Sequence, residues 1–185
     1  IEEIHVPKNK QKLKCYLMTM HFVKRHPVES DRESRFNFGK TTVRNWTWHF
    51  AKKIQALKQI KIVWDEGQED DIWTCSVDGT HCWINEPKHP ALSQNSKHWS
   101  HKHDKAALDY EIAICLWKSQ VVWINGPFPS GEFNDLKVFV LQDGLKDKLQ
   151  AANKRGIADN GCVGCEELSM PNPRDPEMVR KFKSR

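Results

Sequence analysis

The chain has 185 residues, enough for one ordinary domain or for a small module joined to a larger one, with a core that needs no disulfide bonds. It has no run of about 18 apolar residues and its start, IEEIHVPKNK, is charged, which argues against a membrane span and a secretory signal. Residues 1–61 hold 14 Lys and Arg against five acids, a net charge of +9, whereas the remainder has a net charge of −4. This asymmetry predicts that the N-terminal part meets a polyanion; a solvated surface is the alternative.

The N-terminal part has the pattern of a small helical module. Apolar residues at helical spacing predict a helix over residues 13–25, which His26-Pro27 ends. A short helix follows, with Ser30 or Asp31 as its predicted N-cap.

After a turn at Gly39, a longer basic helix is predicted to begin at a cap provided by Thr41 or Thr42 and to run to about Lys58. A short helix, a turn and a longer basic helix form a helix-turn-helix pattern, whose second helix would enter the major groove of double-stranded DNA. Arg and Asn pair with base edges, and Lys binds phosphates. The candidate nucleic-acid-binding residues of this module are Thr42, Arg44, Asn45, Lys52 and Lys53. A plain three-helix packing unit is the alternative.

Residues 62–71 are acidic and predict a linker, beyond which the pattern changes from helical to strand-like. The second part is therefore predicted to be α/β. Its predicted elements are a strand over 72–77, a loop over 85–108, a hairpin of 111–117 and 121–125, a turn over 126–131, a helix over 132–149 broken near Gly144, and a short strand at 155–159.

Two aspartates occupy equivalent places, each after an apolar run and shortly before a glycine: Asp78 in VDG and Asp159 in ADNG. If their strands are neighbours, the two carboxylates converge and repel each other unless a cation lies between them. Mg²⁺ or Mn²⁺ suits such a site and would serve phosphodiester chemistry. The alternative for Asp78 is a turn-capping residue. His81 either orients Asp78 or contacts phosphate, or it is simply a packed histidine.

Three stretches, SVDGTHCWINEP, LDYEIAICLWKSQVVWINGPFPSGEFNDLKVF and RGIADNGCVG, resemble the nuclease domain of Harbinger-type transposases in the DDE superfamily endonuclease group. The likeness runs over most of residues 13–167. It implies a ribonuclease-H-like mixed sheet over 72–170, preceded by the helical module. It further implies that Asp78 and Asp159 are the first two catalytic and metal-binding acids. Asp135 matches another acid of the family and is treated as a supporting catalytic residue.

The chain departs from the family pattern in two places. Cys162 stands where the family has Tyr, which is expected to alter packing more than chemistry. The family's third acid is a Glu on a later helix, and Glu166, Glu167 and Glu177 do not match its motif. The nuclease domain is therefore expected to be incomplete, followed by a Pro-rich basic tail over 171–185. That tail would be a nuclear address, a DNA-contacting arm or a solvated end.

The sequence thus predicts a nuclear, transposase-derived nuclease that binds double-stranded DNA and can form a homodimer; the missing acid leaves its activity open. A catalytically dead relic that serves as a DNA- or protein-binding scaffold subunit in a larger assembly is the alternative. Zinc at Cys162-x-x-Cys165 and a metal site in the His98, His101 and His103 loop are less favoured than ordinary packing and a solvated loop.

Overall fold

The computed structural model describes residues 9–67, 70–85, 96–159, 162 and 164–170. The protein is mixed α/β, with a mixed sheet and several helices. It divides into two compact units, one within residues 1–61 and one within 62–185. None of the helices in the described ranges has the length and apolar character that crossing a membrane requires. The predicted tail over 171–185 and Glu177 lie outside the described residues.

The first unit is helical. Its helices are α1 (Lys10–Arg25), α2 (Glu29–Phe36), α3 (Lys40–Ala56) and the single turn α4 (Lys58–Lys61). The first three match the predicted helices. The predicted N-caps are wrong, because α2 begins after Val28 and α3 after Gly39, neither with a capping side chain. Glu29 and Asp31 instead lie in the first turn of α2, where negative charge favours the helix N-terminus.

The core of the first unit lies between α1 and α3. Its fully buried side chains include Cys15 and Met18 from α1 and Val43 from α3. One polar contact in this core joins α2 to α3: Arg32 Nη1 donates to Thr47 Oγ1 at 2.8 Å. Satisfied polar contacts of this kind fix how the helices pack, since an unpaired buried donor would destabilise the unit.

The second unit is built on a mixed sheet. Its strands are β1 (Trp73–Trp83), β2 (Trp99–Ser100), β3 (Lys105–Cys115), β4 (Val121–Pro129), β5 (Arg155–Ile157) and β6 (Leu168–Ser169). Strand β1 pairs antiparallel with β3, and β3 pairs antiparallel with β2 and β4. On its other side β1 pairs parallel with β5, which pairs parallel with β6. Strand β1 is therefore central, between an antiparallel half and a parallel half.

Several predicted boundaries in this unit are corrected. Strand β1 continues to Trp83, so Asp78 lies inside the strand and is not a turn-capping residue after its end. Strand β3 begins at Lys105, inside the predicted loop, and β4 runs through the predicted turn to Pro129. In each case hydrogen bonding to a neighbouring strand extends the strand through polar or proline-containing residues. The local sequence pattern alone does not reveal this.

Two helices, α5 (Asp135–Phe139) and α6 (Leu145–Ala151), occupy the range predicted as one helix broken near Gly144, and Gly144 is the N-cap of α6. They contribute Phe139, Leu145 and Leu149, all fully buried, to one core with side chains of the sheet. The predicted linker also belongs to this unit, since Trp64 packs against that core. The helices therefore cover one face of the sheet and bring the start of α5 over the middle of β1.

Asp65, in the same predicted linker, is tied to the sheet by Lys118, whose Nζ lies 2.5 Å from Asp65 Oδ2. The hydrogen bond from Lys118 and a second from the Gly67 backbone hold the pKa of Asp65 below its usual value. Residues 62–67 are thus packed and bonded parts of the second unit.

Candidate functional site

The two aspartates that the sequence singles out lie side by side, Asp78 on β1 and Asp159 two residues past the end of the parallel strand β5. The register of β1 and β5 pairs Cys75 with Gly156 and Ser76 with Ile157. Asp78 and Asp159 each follow two residues after the last of these pairs. The prediction that their strands are neighbours in one sheet is confirmed. Both residues are solvent-exposed, so a ligand could reach them.

Five acids line a single cleft beside the middle of β1, with an empty volume of about 380 Å³ that includes space open to solvent. We call it the acidic cleft and define it by Asp78, Asp109, Glu111, Asp135 and Asp159. Its floor is completed by Val77, Gly79, Tyr110, Val138, Ala158 and Cys162. All three acids predicted to be catalytic are therefore gathered in one place, together with two that were not predicted.

Asp135 reaches the cleft because it is the first residue of α5. The side chain of Asn134 caps this helix by accepting a hydrogen bond from the Lys137 backbone N–H at 2.9 Å. The Asp135 carboxylate then lies against Gly79, so closely that a Cβ at position 79 would overlap it. Glycine in the VDG motif is thus required for close approach between the sheet and the helix, and its backbone does not need an unusual conformation.

Negative charge accumulates in the cleft. Desolvation raises the pKa of Asp135, and the neighbouring charges of Asp159 and Asp78 raise it further. Desolvation likewise raises the pKa of Asp109, to which Asp135 adds. Carboxylates that raise one another's pKa are close enough to repel, and a cation placed among them would relieve that repulsion.

Sequence reasoning missed Asp109 and Glu111, which are 8% and 5% exposed on β3. The Oε2 atom of Glu111 accepts a hydrogen bond from Trp123 Nε1 at 2.7 Å, whereas its buried Oε1 has no hydrogen-bond partner among the described residues. Burial and the nearby Asp135 raise the pKa of Glu111 to about 7, although the bond from Trp123 opposes this. A signal was present in the sequence: the acids of LDYEIA alternate in step with buried Ala107 and Ala113.

His81 does not orient Asp78. Its Nδ1 lies 2.5 Å from Asp109 Oδ1, across the antiparallel pairing of β1 and β3. The charge of His81 opposes the rise in the pKa of Asp109. His81 is thus a partner of an acid that lines the cleft, and it belongs to the second unit.

The other predicted nucleic-acid-binding residues lie on α3 in the first unit. Arg44, Asn45, Lys52 and Lys53 are exposed, and Thr42 is half-buried. Arg44 is engaged by Glu29 on α2, with Nε 2.5 Å from Oε1 and Nη2 2.8 Å from Oε2. This pairing holds the pKa of Glu29 below its usual value. Arg44 would have to exchange Glu29 for a nucleic acid in order to bind it.

The donor chemistry of the cleft fits a hard divalent cation, although no group of three or more His, Cys, Asp or Glu side chains in the described ranges is arranged to hold a metal. Mg²⁺ keeps several waters and is commonly held by one or two carboxylates, which is the kind of ligand that Asp78 and Asp159 offer. Zinc at Cys162 is disfavoured, because a structural zinc ion takes four ligands and, among the described residues, Cys162 and Cys165 do not belong to any group of three or more candidate ligands.

Comparisons of the chain with models of known families, with curated proteins and with solved structures found no match.

Proposed function

We propose that the chain is a transposase-derived nuclease of the Harbinger type, a DDE superfamily endonuclease that hydrolyses phosphodiesters of DNA and joins a 3′ hydroxyl to target DNA. The observation that carries the proposal is the meeting of Asp78, Asp135 and Asp159 in one cleft, with Asp78 on β1 and Asp159 just after the adjacent parallel strand β5. Action on double-stranded DNA in the nucleus, by a homodimer, belongs to the same proposal.

The topology of the second unit supports a ribonuclease-H-like assignment. The strand order β4-β3-β1-β5-β6 joins an antiparallel meander of three strands to two parallel strands through β1. A fold of that type carries its first acid on the central strand and its second after the neighbouring parallel strand. Asp78 and Asp159 occupy those two positions.

Asp78 and Asp159 would hold Mg²⁺ or Mn²⁺, and Asp135 would contribute a third negative charge beside them. A bound ion would supply positive charge that activates water and stabilises the leaving oxygen of a phosphodiester. The residues of the chain fix the geometry: parallel pairing sets the two ligands side by side, and the helix start above Gly79 holds Asp135 in place.

Replacing Gly79 by Ala should displace Asp135, because the new methyl group would occupy the space of the carboxylate. We expect cleavage to fall by about 10- to 100-fold, since misplacing a reacting group by about 1 Å can cost about 10²-fold. Stability should change by less than about 1 kcal/mol, because a carboxylate at the end of a side chain can rotate away. Cleavage rates and urea unfolding would be measured for this variant and for Gly39→Ala, whose added Cβ meets nothing within 4 Å. Unchanged cleavage in Gly79→Ala would remove Asp135 from the proposed machinery.

The first unit is proposed as a helix-turn-helix-like DNA-binding module, with α3 as the helix that contacts DNA. Replacing Lys53 by Ala should weaken binding to duplexes of any sequence, because an exposed Lys contacts phosphate and carries no base information. The slope of log affinity against log salt should become shallower by about 1. Fluorescence anisotropy at several salt concentrations would measure it. Lys118→Ala, which removes a lysine already paired with Asp65, is the control and should leave the slope unchanged.

A catalytically inactive scaffold subunit is the second candidate function. One observation favours it: in the part of the chain that the structure describes, no three metal-ligating side chains are grouped for an ion. The two candidates predict different results for the full chain incubated with DNA in Mg²⁺, in Mn²⁺ and in EDTA. The nuclease should yield products only with the metals. Binding without products under all three conditions would favour the scaffold.

A further inference from the structure

Three aromatic rings cluster at the end of β1, on the same strand that carries the acidic cleft. We define the aromatic cluster as His81, Trp83 and His103, with Lys105 beside it. The His103 ring meets Trp83 edge-on, with centroids 4.8 Å apart and planes at 83°. His81 lies nearly parallel to Trp83 at 6.1 Å and contacts His103 at 5.1 Å. The indole is therefore held by two neighbouring rings.

Trp83 is nevertheless 51% exposed. A large aromatic side chain that is both exposed and held in place offers a rigid flat surface at little further loss of conformational entropy on binding. The β3–β4 side of the sheet does not cover it, since Trp83 pairs in register with the small residue Ala107. A planar ligand could therefore stack on the indole without the side chain first having to be ordered.

Basic and acidic residues both lie beside the aromatic cluster, with Asp104 in the same turn as Lys102 and Asp109 against His81. Lys105 Nζ lies 5.9 Å from the centroid of the Trp83 ring, and the exposed turn before it contains His101 and Lys102. The positive charge of Lys102 also acts on the cleft, where it opposes the rise in the pKa of Asp135. A ligand that fits here is planar and anionic, as an unpaired nucleotide is: its base can stack on an indole while its phosphate meets a lysine.

The aromatic cluster is continuous with the acidic cleft. Gly79, His81 and Trp83 are every second residue of β1 and therefore share one face of the strand. His81 contacts Asp109, which lines the cleft. Four residues of strand separate the Cα atoms of Gly79 and Trp83 by roughly 13 Å. Stacked nucleotides advance about 3.4 Å each, so this separation corresponds to about four nucleotides. A strand whose phosphate lies in the cleft would reach the indole within a few nucleotides.

We propose that Trp83, supported by His81 and His103 and flanked by Lys105, is a stacking platform for an unpaired base of a single-stranded nucleic acid that leads into the acidic cleft. This inference rests on the proposed function, which makes the acidic cleft the place where the nucleic-acid strand is cleaved. It adds a substrate class: a strand that is unpaired near the scissile phosphate, at an overhang or a frayed end, because bases within a duplex are already stacked on their neighbours.

The test is equilibrium binding of a 12-nucleotide oligodeoxythymidine and of a 12-base-pair duplex to the full chain in EDTA, where metal-dependent cleavage is absent. Trp83→Ala should weaken single-strand binding by about tenfold or more, since stacking of one base commonly contributes that much. Trp83→Phe should retain most of the affinity. Trp117→Ala, which removes another exposed tryptophan (48% exposed) on the same unit, is the matched control and should bind as the unaltered protein does.

Equal single-strand affinity of Trp83→Ala and Trp117→Ala would overturn the platform, and so would an equal loss for duplex and single strand. If Trp83→Ala does not fold, as judged by circular dichroism, Lys105→Gln gives the second measurement: it should weaken single-strand binding and make its salt dependence shallower, and no change in either would overturn the proposal. An oligouridine strand bound as well as the DNA strand supports the same stacking chemistry. Retained stacking without cleavage in Mg²⁺ would leave the platform standing and refute the nuclease.

Discussion

Replacing Asp78 by Asn is expected to reduce metal-dependent cleavage of DNA by more than about 100-fold while leaving the fold intact. Even residues that only orient metal ligands commonly change metal affinity or activity by about 10- to 100-fold, so a direct ligand should contribute at least as much. Asn has the shape of Asp but lacks its charge, and Asp78 is exposed, so the substitution disturbs little packing. Single-turnover cleavage at fixed Mg²⁺ would measure the change.

The same experiment with Asp159→Asn should give a similar loss, and the double variant should be little worse than either single one, because residues that act as a unit are not additive. Asp70→Asn is the matched control: it removes an exposed acid of the same unit that does not line the cleft. Activity in Asp78→Asn equal to that of Asp70→Asn would show that the pair of strands has no catalytic role. A loss in all variants alike would point to net charge instead.

The neighbouring positions of Asp78 and Asp159 could be predicted because the two motifs are built alike. Each acid follows an apolar run that can pair inside a sheet, and a glycine comes soon after. The parallel pairing of β1 with β5 is compatible with the helices α5 and α6 that join β4 to β5, since a strand can return parallel only through such a connection. The helices of the first unit were equally visible, because their apolar faces repeat at helical spacing.

The ends of the strands could not be predicted, because tertiary pairing decides them. The second half of β1, DGTHCW, has no apolar alternation, yet it forms a ladder with β3 out to Trp83. The start of β3, Lys105 with two alanines, has low strand propensity and belongs to the sheet only because β1 and β2 flank it. The predicted N-cap of α3 is wrong for a related reason. Thr41 and Thr42 are residues that commonly cap helices, but the N-cap of α3 is Gly39.

Three of the five acids in the acidic cleft could be predicted from the sequence, and two could not. A motif search finds acids beside glycines, whereas Asp109 and Glu111 stand inside an apolar strand and become notable only once the strand is known to be buried. Their alternation with buried alanines carries the information, since a carboxylate on a core-facing position is costly unless it is paired or serves a site. His81 shows the converse: it lies close to Asp78 in the sequence, but the residue opposite it on the neighbouring strand is Asp109.

Replacing Glu111 by Gln is expected to flatten the dependence of stability on pH. The folded protein raises the pKa of Glu111 from its ordinary 4.5 to about 7, so between these values the folded state binds more protons than the unfolded state. Stability must then fall as pH rises from about 4.5 to about 7 and level off above it. A shift of this size corresponds to a loss of about 3 kcal/mol in the free energy of unfolding. Gln removes the titrating group and can still accept the hydrogen bond from Trp123.

Urea unfolding at pH 5, 6, 7 and 8 would measure the effect, with Glu132→Gln as the control because the Glu132 side chain is 45% exposed and paired only at the surface with Lys97. The unaltered protein and Glu132→Gln should lose stability alike across this range, whereas Glu111→Gln should lose much less. Asp109 and Asp135 also have raised pKa values, so a smaller slope of the same sign should persist. Equal slopes in all three proteins would mean that Glu111 is hydrated or paired in the folded state. A cation that neutralises the cleft should reduce the slope of the unaltered protein, because it restores the balance of charge that burial of Glu111 disturbs.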